Sequence, residues 1–210
     1  MLYPRVGKLD GQEVLVGDRE MVGYKEHMPQ NHRVLFLTGV IGARCSNCGV
    51  GETDGHNLLM ALDTLSQDPI RLVITSPGGD LDSTFHFYDT MRLIKSPIET
   101  LGRYCASAAA LLLAAGSKRY LLPHAKVMLH RPWGRQEGDS RELEIQGQEM
   151  RKYQNNFIDA LIECGVAKPP DEILSDIDRN LWLEPEKAIE YGLADEIMTP
   201  TIWQNWIKEK

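Results

Sequence analysis

Residues 97–132 read PIETLGRYCASAAALLLAAGSKRYLLPHAKVMLHRP. Pro97 ends the element before it, and Ile98 to Leu101 reads as a strand. Ser107 opens an apolar helix, and Val127-Met128-Leu129 forms a further strand, which His130 ends just before Arg131 and Pro132. Ala106 and Ala108 flank Ser107 with the small side chains that a sharp strand-to-helix turn tolerates. One β-α-β stretch thus carries a hydroxyl nucleophile and an imidazole base as candidates.

The alternation extends upstream. Val34-Leu35-Phe36-Leu37 reads as a buried strand, residues 54–66 as a helix with Leu58, Leu59, Leu62 and Leu65 apolar, and Leu72-Val73-Ile74 as the next strand. Ser76-Pro77-Gly78-Gly79 follows as a tight glycine turn, able to aim backbone N–H groups at an anion. Leu81, Phe85, Tyr88 and Met91 then mark one helical face. Strands alternating with helices predict an α/β fold of repeated β-α-β units with a largely parallel sheet. Right-handed crossovers place the strand-to-helix turns on one edge, where sites usually lie.

From about Arg141 to Glu163 a long helix carries Leu143, Met150, Phe157 and Leu161, preceded by the polar, glycine-containing residues 134–140. It is too long for the compact part to cover. Residues 1–32 hold Gly7, Gly11, Gly17 and Gly23 among scattered charges and lack a sustained period, so they are set apart as a divergent N-terminal segment.

At 210 residues and 42% hydrophobic content the chain can bury a substantial core. A formal net charge of −7 without clustered Lys and Arg argues against a nucleic-acid surface. No apolar run approaches the roughly 20 residues that span a bilayer, and the N-terminus lacks the basic-then-apolar order of a secretory signal. A cytoplasmic location is therefore expected, with Cys45, Cys48, Cys105 and Cys164 as reduced thiols. Cys45 and Cys48 form a C-x-x-C pair with His56 downstream, but a structural zinc site needs four ligands and no second pair is present, so no metal is expected. A loop insertion or a redox disulfide are the other readings of that pair.

Taken together, Ser76-Pro77-Gly78-Gly79, Tyr88-Asp89-Thr90-Met91, Ala106-Ser107, Ala114-Ala115-Gly116, Leu122-Pro123, Val127 to Pro132 and Glu190-Tyr191-Gly192-Leu193 resemble the proteolytic subunit of the Clp protease, ClpP, a serine peptidase family. The resemblance runs from about Arg33 to Met198. It implies a ClpP/crotonase-like fold over 33–198, a protruding strand-helix handle over 133–163 that interlocks two seven-membered rings, axial-loop character for 1–32, and a tail at 199–210. The implied activity is a serine endopeptidase cutting unfolded polypeptides inside a ring chamber, a homo-oligomer or a ring mixed with paralogues. No cofactor is needed for cleavage. ATP would be used by a separate AAA+ unfoldase, since this chain has no G-x-x-x-x-G-K-[ST] loop.

Carried over residue by residue, the resemblance makes Ser107 the nucleophile, His130 the base, and the backbone N–H groups of Gly79 and Ala108 the oxyanion hole. Taken locally, Ser107 is equally an N-cap serine and His130 a histidine closing a strand. Where the family has its third catalytic residue, an aspartate, this chain has Asn180. An amide can orient the imidazole but brings no charge to stabilise the imidazolium. Asn180 therefore supports either a working Ser-His-Asn triad or a silenced, ClpR-like ring subunit, and Asp176 or Asp178 could supply a carboxylate after a register shift. Arg103 stands where many members carry glycine. Asp178 and Arg179 match a ring-contact pair, and Tyr120, Leu122 and Leu93 match positions where unfoldases dock. An acyl-CoA enzyme of the crotonase-like fold is a further alternative, disfavoured by the Ser107 and His130 pair.

Overall fold

The computed structural model describes residues 5–9 and 12–16 as backbone strands, and residues 33–42 and 52–206. Cys45 and Cys48 lie outside the described residues. Contacts divide the chain into residues 1–32 and 33–210. In the first unit β1 (Arg5–Leu9) pairs antiparallel with β2 (Gln12–Val16), Arg5 opposite Val16 and Leu9 opposite Gln12. The Asp10-Gly11 dipeptide between them is a strong hairpin signal.

The second unit is built on one six-stranded sheet. β3 (Val34–Thr38), β4 (Ile70–Ser76), β5 (Ile98–Ala106) and β6 (Lys118–Leu129) lie side by side in chain order, all parallel. The helices between them are α1 (Glu52–Leu65), α2 (Leu81–Leu93) and α3 (Ala108–Ala114). Along β4 the two faces separate cleanly. Ile70, Leu72 and Ile74 enter the main core with Leu59, Phe87, Met91 and Leu111. Val73 faces the other way, into a smaller cluster with Leu101, Met198 and Trp206. Such period-two burial on both faces is what a central parallel strand requires. Every residue of α3, AAALLLA, is buried, so this helix is apolar all round because nothing of it meets water.

α4 (Ser140–Glu163) follows, capped by the Asp139 carboxylate, which accepts from the backbone N–H of Arg141 and Glu142. α5 (Pro170–Asp176), β7 (Leu181–Leu183), α6 (Pro185–Tyr191), β8 (Glu196–Ile197) and α7 (Pro200–Trp206) complete the chain. β7 runs antiparallel to the end of β6, and β8 pairs parallel with its beginning.

Two expectations change. The segment before α4, expected as the strand of a strand-helix handle, forms no strand over 133–139. It folds back on α4 instead, the Gln146 amide donating to the Glu137 carbonyl and Gln136 donating to the Gln146 carbonyl, each at 3.4 Å. Within the segment expected as a tail, residues 200–206 form a helix, α7. Trp206 of α7 is buried, stacks edge-on to Tyr120 with centroids 6.4 Å apart, and lies 5.5 Å beneath the Arg71 guanidinium. Tyr120 and Leu122, both partly buried, pack against the cluster that α7 closes, while Leu93 is exposed.

Candidate active site

The site lies at the carboxyl ends of three adjacent parallel strands, where the chain leaves β4, β5 and β6. From β4 comes the Ser76–Gly79 turn. The Ser76 hydroxyl donates to the Gly39 carbonyl at 2.6 Å and accepts from Gly78 N–H at 3.1 Å. Ile41 N–H donates to the Gly78 carbonyl and Asp80 N–H to the Ile41 carbonyl, at 2.9 and 3.0 Å, so the backbone on both sides of Gly79 is fixed. A Cβ on Gly79 would lie 2.1 Å from the Ile41 carbonyl oxygen, which leaves hydrogen as the only side chain that fits.

From β5 comes Ser107. Its φ of 57° and ψ of −127° make it the one non-glycine residue with positive φ among the described residues. Holding a serine there costs about 1–3 kcal/mol, which the surroundings must impose. They do so through Ser107 N–H, which donates to the Met128 carbonyl at 2.7 Å, and through Ala110 N–H, which donates to the Ser107 carbonyl at 2.9 Å. Ser107 occupies the N-cap position of α3, yet its side chain makes no capping bond. The hydroxyl turns instead to His130, with Oγ 2.7 Å from Nε2. Between an N-cap and a base-paired hydroxyl, the geometry selects the second.

The glycine turn and the serine turn abut. A Cβ on Gly78, itself at φ +89°, would come within 2.6 Å of the Ala106 carbonyl oxygen and 2.9 Å of Ala108 N. Gly79 N–H and Ala108 N–H take no acceptor among the described residues. Ala108 is the first residue of α3, so its N–H has no preceding helical carbonyl.

His130 leaves the end of β6 half-buried, and burial pushes its pKa below the ordinary imidazole range. The β6–β7 register pairs Leu129 with Leu181 and Met128 with Trp182. Continued by one residue, it sets Asn180 opposite His130. Asn180 is exposed, and no hydrogen bond joins it to His130. Neither alternative carboxylate is free to take that place. Asp176 accepts from Lys168 at 2.8 Å and Tyr191 at 3.0 Å, the lysine first among the causes that hold its carboxyl below the usual range. Asp178 pairs with Arg131 at 3.1 Å and with Arg179, itself exposed, at 3.8 Å. Arg103 falls at a break in register on both sides of β5 and is exposed.

Ser107, His130 and Gly79 line one pocket of about 50 Å³ together with Leu81, Pro132, Trp133 and Phe157. These four apolar walls were not singled out as site residues from sequence. Phe157 looks like a core position on α4, and only the strand-end motif preceding Pro132 and Trp133 hinted at their place.

A model of the Clp protease family matches residues 30–201. The chain is 38% identical over 173 residues to ATP-dependent Clp protease proteolytic subunit 1 of Rhodopirellula baltica, covering 81% of this chain and 74% of that protein. It is 36% identical over 170 residues to the subunit of the same name in Salinibacter ruber, covering 79% and 70%. With the chloroplastic proteolytic subunit 4 of Arabidopsis thaliana it shares 35% over 146 residues, 67% of this chain and 49% of the relative. With its parallel sheet, glycine turn and strained serine, this chain belongs to the Clp protease family.

Proposed function

We propose that this chain is a serine endopeptidase, the proteolytic subunit of a Clp-type protease, with Ser107 as nucleophile, His130 as base, Asn180 as orienter and the N–H groups of Gly79 and Ala108 as oxyanion donors. The observation that carries this reading is the 2.7 Å contact of Ser107 Oγ with His130 Nε2, made by a serine held at positive φ. Ser107 Oγ attacks the scissile carbonyl while His130 Nε2 takes its proton. The carbonyl oxygen, now an oxyanion, accepts from Gly79 and Ala108, two donors of a kind that each contribute about 3–4 kcal/mol of transition-state stabilisation. The C–N bond then breaks, and the leaving amine receives the proton from His130. Water repeats the sequence on the acyl-Ser107 ester, giving the carboxylic acid and free serine.

Asn180 enters by holding the Nδ1–H tautomer through its carbonyl oxygen, after a side-chain turn toward the ring it faces in register. The substrates are unfolded polypeptides. Relatives are named as subunits of an ATP-dependent protease, and this chain carries no phosphate-binding loop of the G-x-x-x-x-G-K-[ST] type, so a separate AAA+ ATPase delivers the substrate. We assign the assembly to rings of such subunits, stacked in pairs of seven, in which Asp178 and Arg179 face the opposite ring.

The test is intact-mass labelling with a fluorophosphonate, beside Ser107→Ala and Asn180→Asp. Stoichiometric labelling that vanishes in Ser107→Ala is expected. A wild type that stays unlabelled until Asn180→Asp restores it would make the chain a silenced ring subunit.

A further inference from the structure

The pocket beside Ser107 is lined by both Leu81 and Phe157, which belong to different elements. Leu81 is the first residue of α2, directly after the Gly78-Gly79 turn, with Asp80 as N-cap accepting from Ser83 N–H at 2.9 Å. Phe157 is among the first buried residues of α4, whose earlier residues face solvent or are only partly covered. The gap between the walls therefore depends on what ties α4 to the start of α2. Two hydrogen bonds join α4 to α2, each from a tyrosine hydroxyl to a carboxylate, and the second of them reaches the start of α2. Tyr88 of α2 donates to Glu163 at the far end of α4, at 2.9 Å. Tyr153, one helical turn before Phe157, donates to Asp82, the residue after Leu81, at 2.5 Å. The second bond thus joins the neighbour of Leu81 to the residue one helical turn before Phe157. Donating that bond to the Asp82 carboxylate raises the Tyr153 hydroxyl's pKa to about 12, aided by burial and the charges of Asp82, Asp80 and Glu149, so the donor keeps its proton at any working pH.

We propose that Tyr153 and Asp82 form a brace that fixes the separation of Leu81 from Phe157, and so determines which substrate side chain the pocket holds beside the scissile bond. The walls are apolar and the cavity is small, about 50 Å³, so the braced pocket favours a compact aliphatic side chain over an aromatic one. Neither residue touches the reacting atoms. Both are positioning residues, and the inference rests on the peptidase reading of this site.

The experiment compares the wild type, Tyr153→Phe, Asp82→Ala and Asp82→Asn on fluorogenic peptides with leucine or phenylalanine before the leaving group, in parallel with fluorophosphonate labelling of Ser107. Loss of one charge-assisted hydrogen bond at a half-exposed site is expected to raise KM for the leucine peptide about fivefold with kcat little changed. The leucine-to-phenylalanine ratio of kcat/KM should fall by a similar factor in Tyr153→Phe and Asp82→Ala. Asp82→Asn keeps an acceptor oxygen and should retain the wild-type ratio. The phosphonate is too small to report the gap, so its labelling rate should hold in all four proteins. Intact labelling with an unmoved ratio in both deletion variants would overturn the brace alone. An unlabelled wild type would overturn the peptidase reading and the brace with it.

Discussion

Burial alone lowers the pKa of His130, and no charged neighbour offsets it. A general base works in its neutral form, so the acid limb of the kcat/KM profile should lie below the ordinary imidazole value of about 6.5. Asn180→Asp would set a carboxylate opposite the ring, favour the imidazolium and move that limb upward. The same change should speed turnover by about 10- to 100-fold, a part of the roughly ten-thousand-fold that the reverse exchange costs in a triad built around aspartate. A pH series on both proteins checks the pair of effects. An acid limb that stays in place in Asn180→Asp would mean that the side chain at 180 never reaches Nδ1. The identity of this residue is readable in sequence, but its register against His130 came only with the β6–β7 pairing, and its rotamer depends on what meets an exposed side chain.

At the scale of the element, the contact between the glycine turn and the serine turn is the most sensitive joint. Gly78→Ala adds a Cβ at φ +89° within 2.6 Å of a backbone carbonyl oxygen. The expected cost is about 2–4 kcal/mol, from left-handed strain and overpacking together. Urea unfolding measures that loss, and slower fluorophosphonate labelling reports displacement of the two turns. α7 offers a contrasting case on the opposite face of the sheet. Trp206→Ala should cost about 3–5 kcal/mol by emptying the space beneath Arg71 and beside Tyr120, with labelling of Ser107 preserved, since the cluster around Val73 and Leu101 lies away from the pocket. The repeated β-α-β units were legible because buried parallel strands such as IRLVITS and apolar helices such as AAALLLA follow simple periods. α7 was not, because Ile202, Trp203 and Trp206 in a seven-residue helix make too short a run for a period to be read. The β1–β2 hairpin was passed over for a different reason: its glycines obscure the alternation, although the Asp-Gly pair in the sequence between the strands is a hairpin signal.

At the scale of the molecule, α4 is the element that a single chain does not explain. Its 24 residues extend about 36 Å, yet its buried residues are confined to 157–161. The part nearer its start leaves Leu143 43% and Ile145 47% exposed, and Trp133, on the segment folded beside it, is 80% exposed. Exposed apolar side chains grouped on the outer half of a helix that buries only its last turns suit an interface, and for a chain of this family we assign it to a second copy. Wild-type protein is then expected to sediment as a many-chain particle. Leu143→Asp combined with Ile145→Asp should release smaller species, because charge placed in a desolvated contact is strongly disfavoured. The subunit itself should keep its circular dichroism spectrum, since neither residue is in the core. A double variant that sediments with the wild type would move the contact off this half of α4. The alternative face is that of Met60, Leu65 and Leu93, the other exposed apolar side chains on the helices of the second unit's first half.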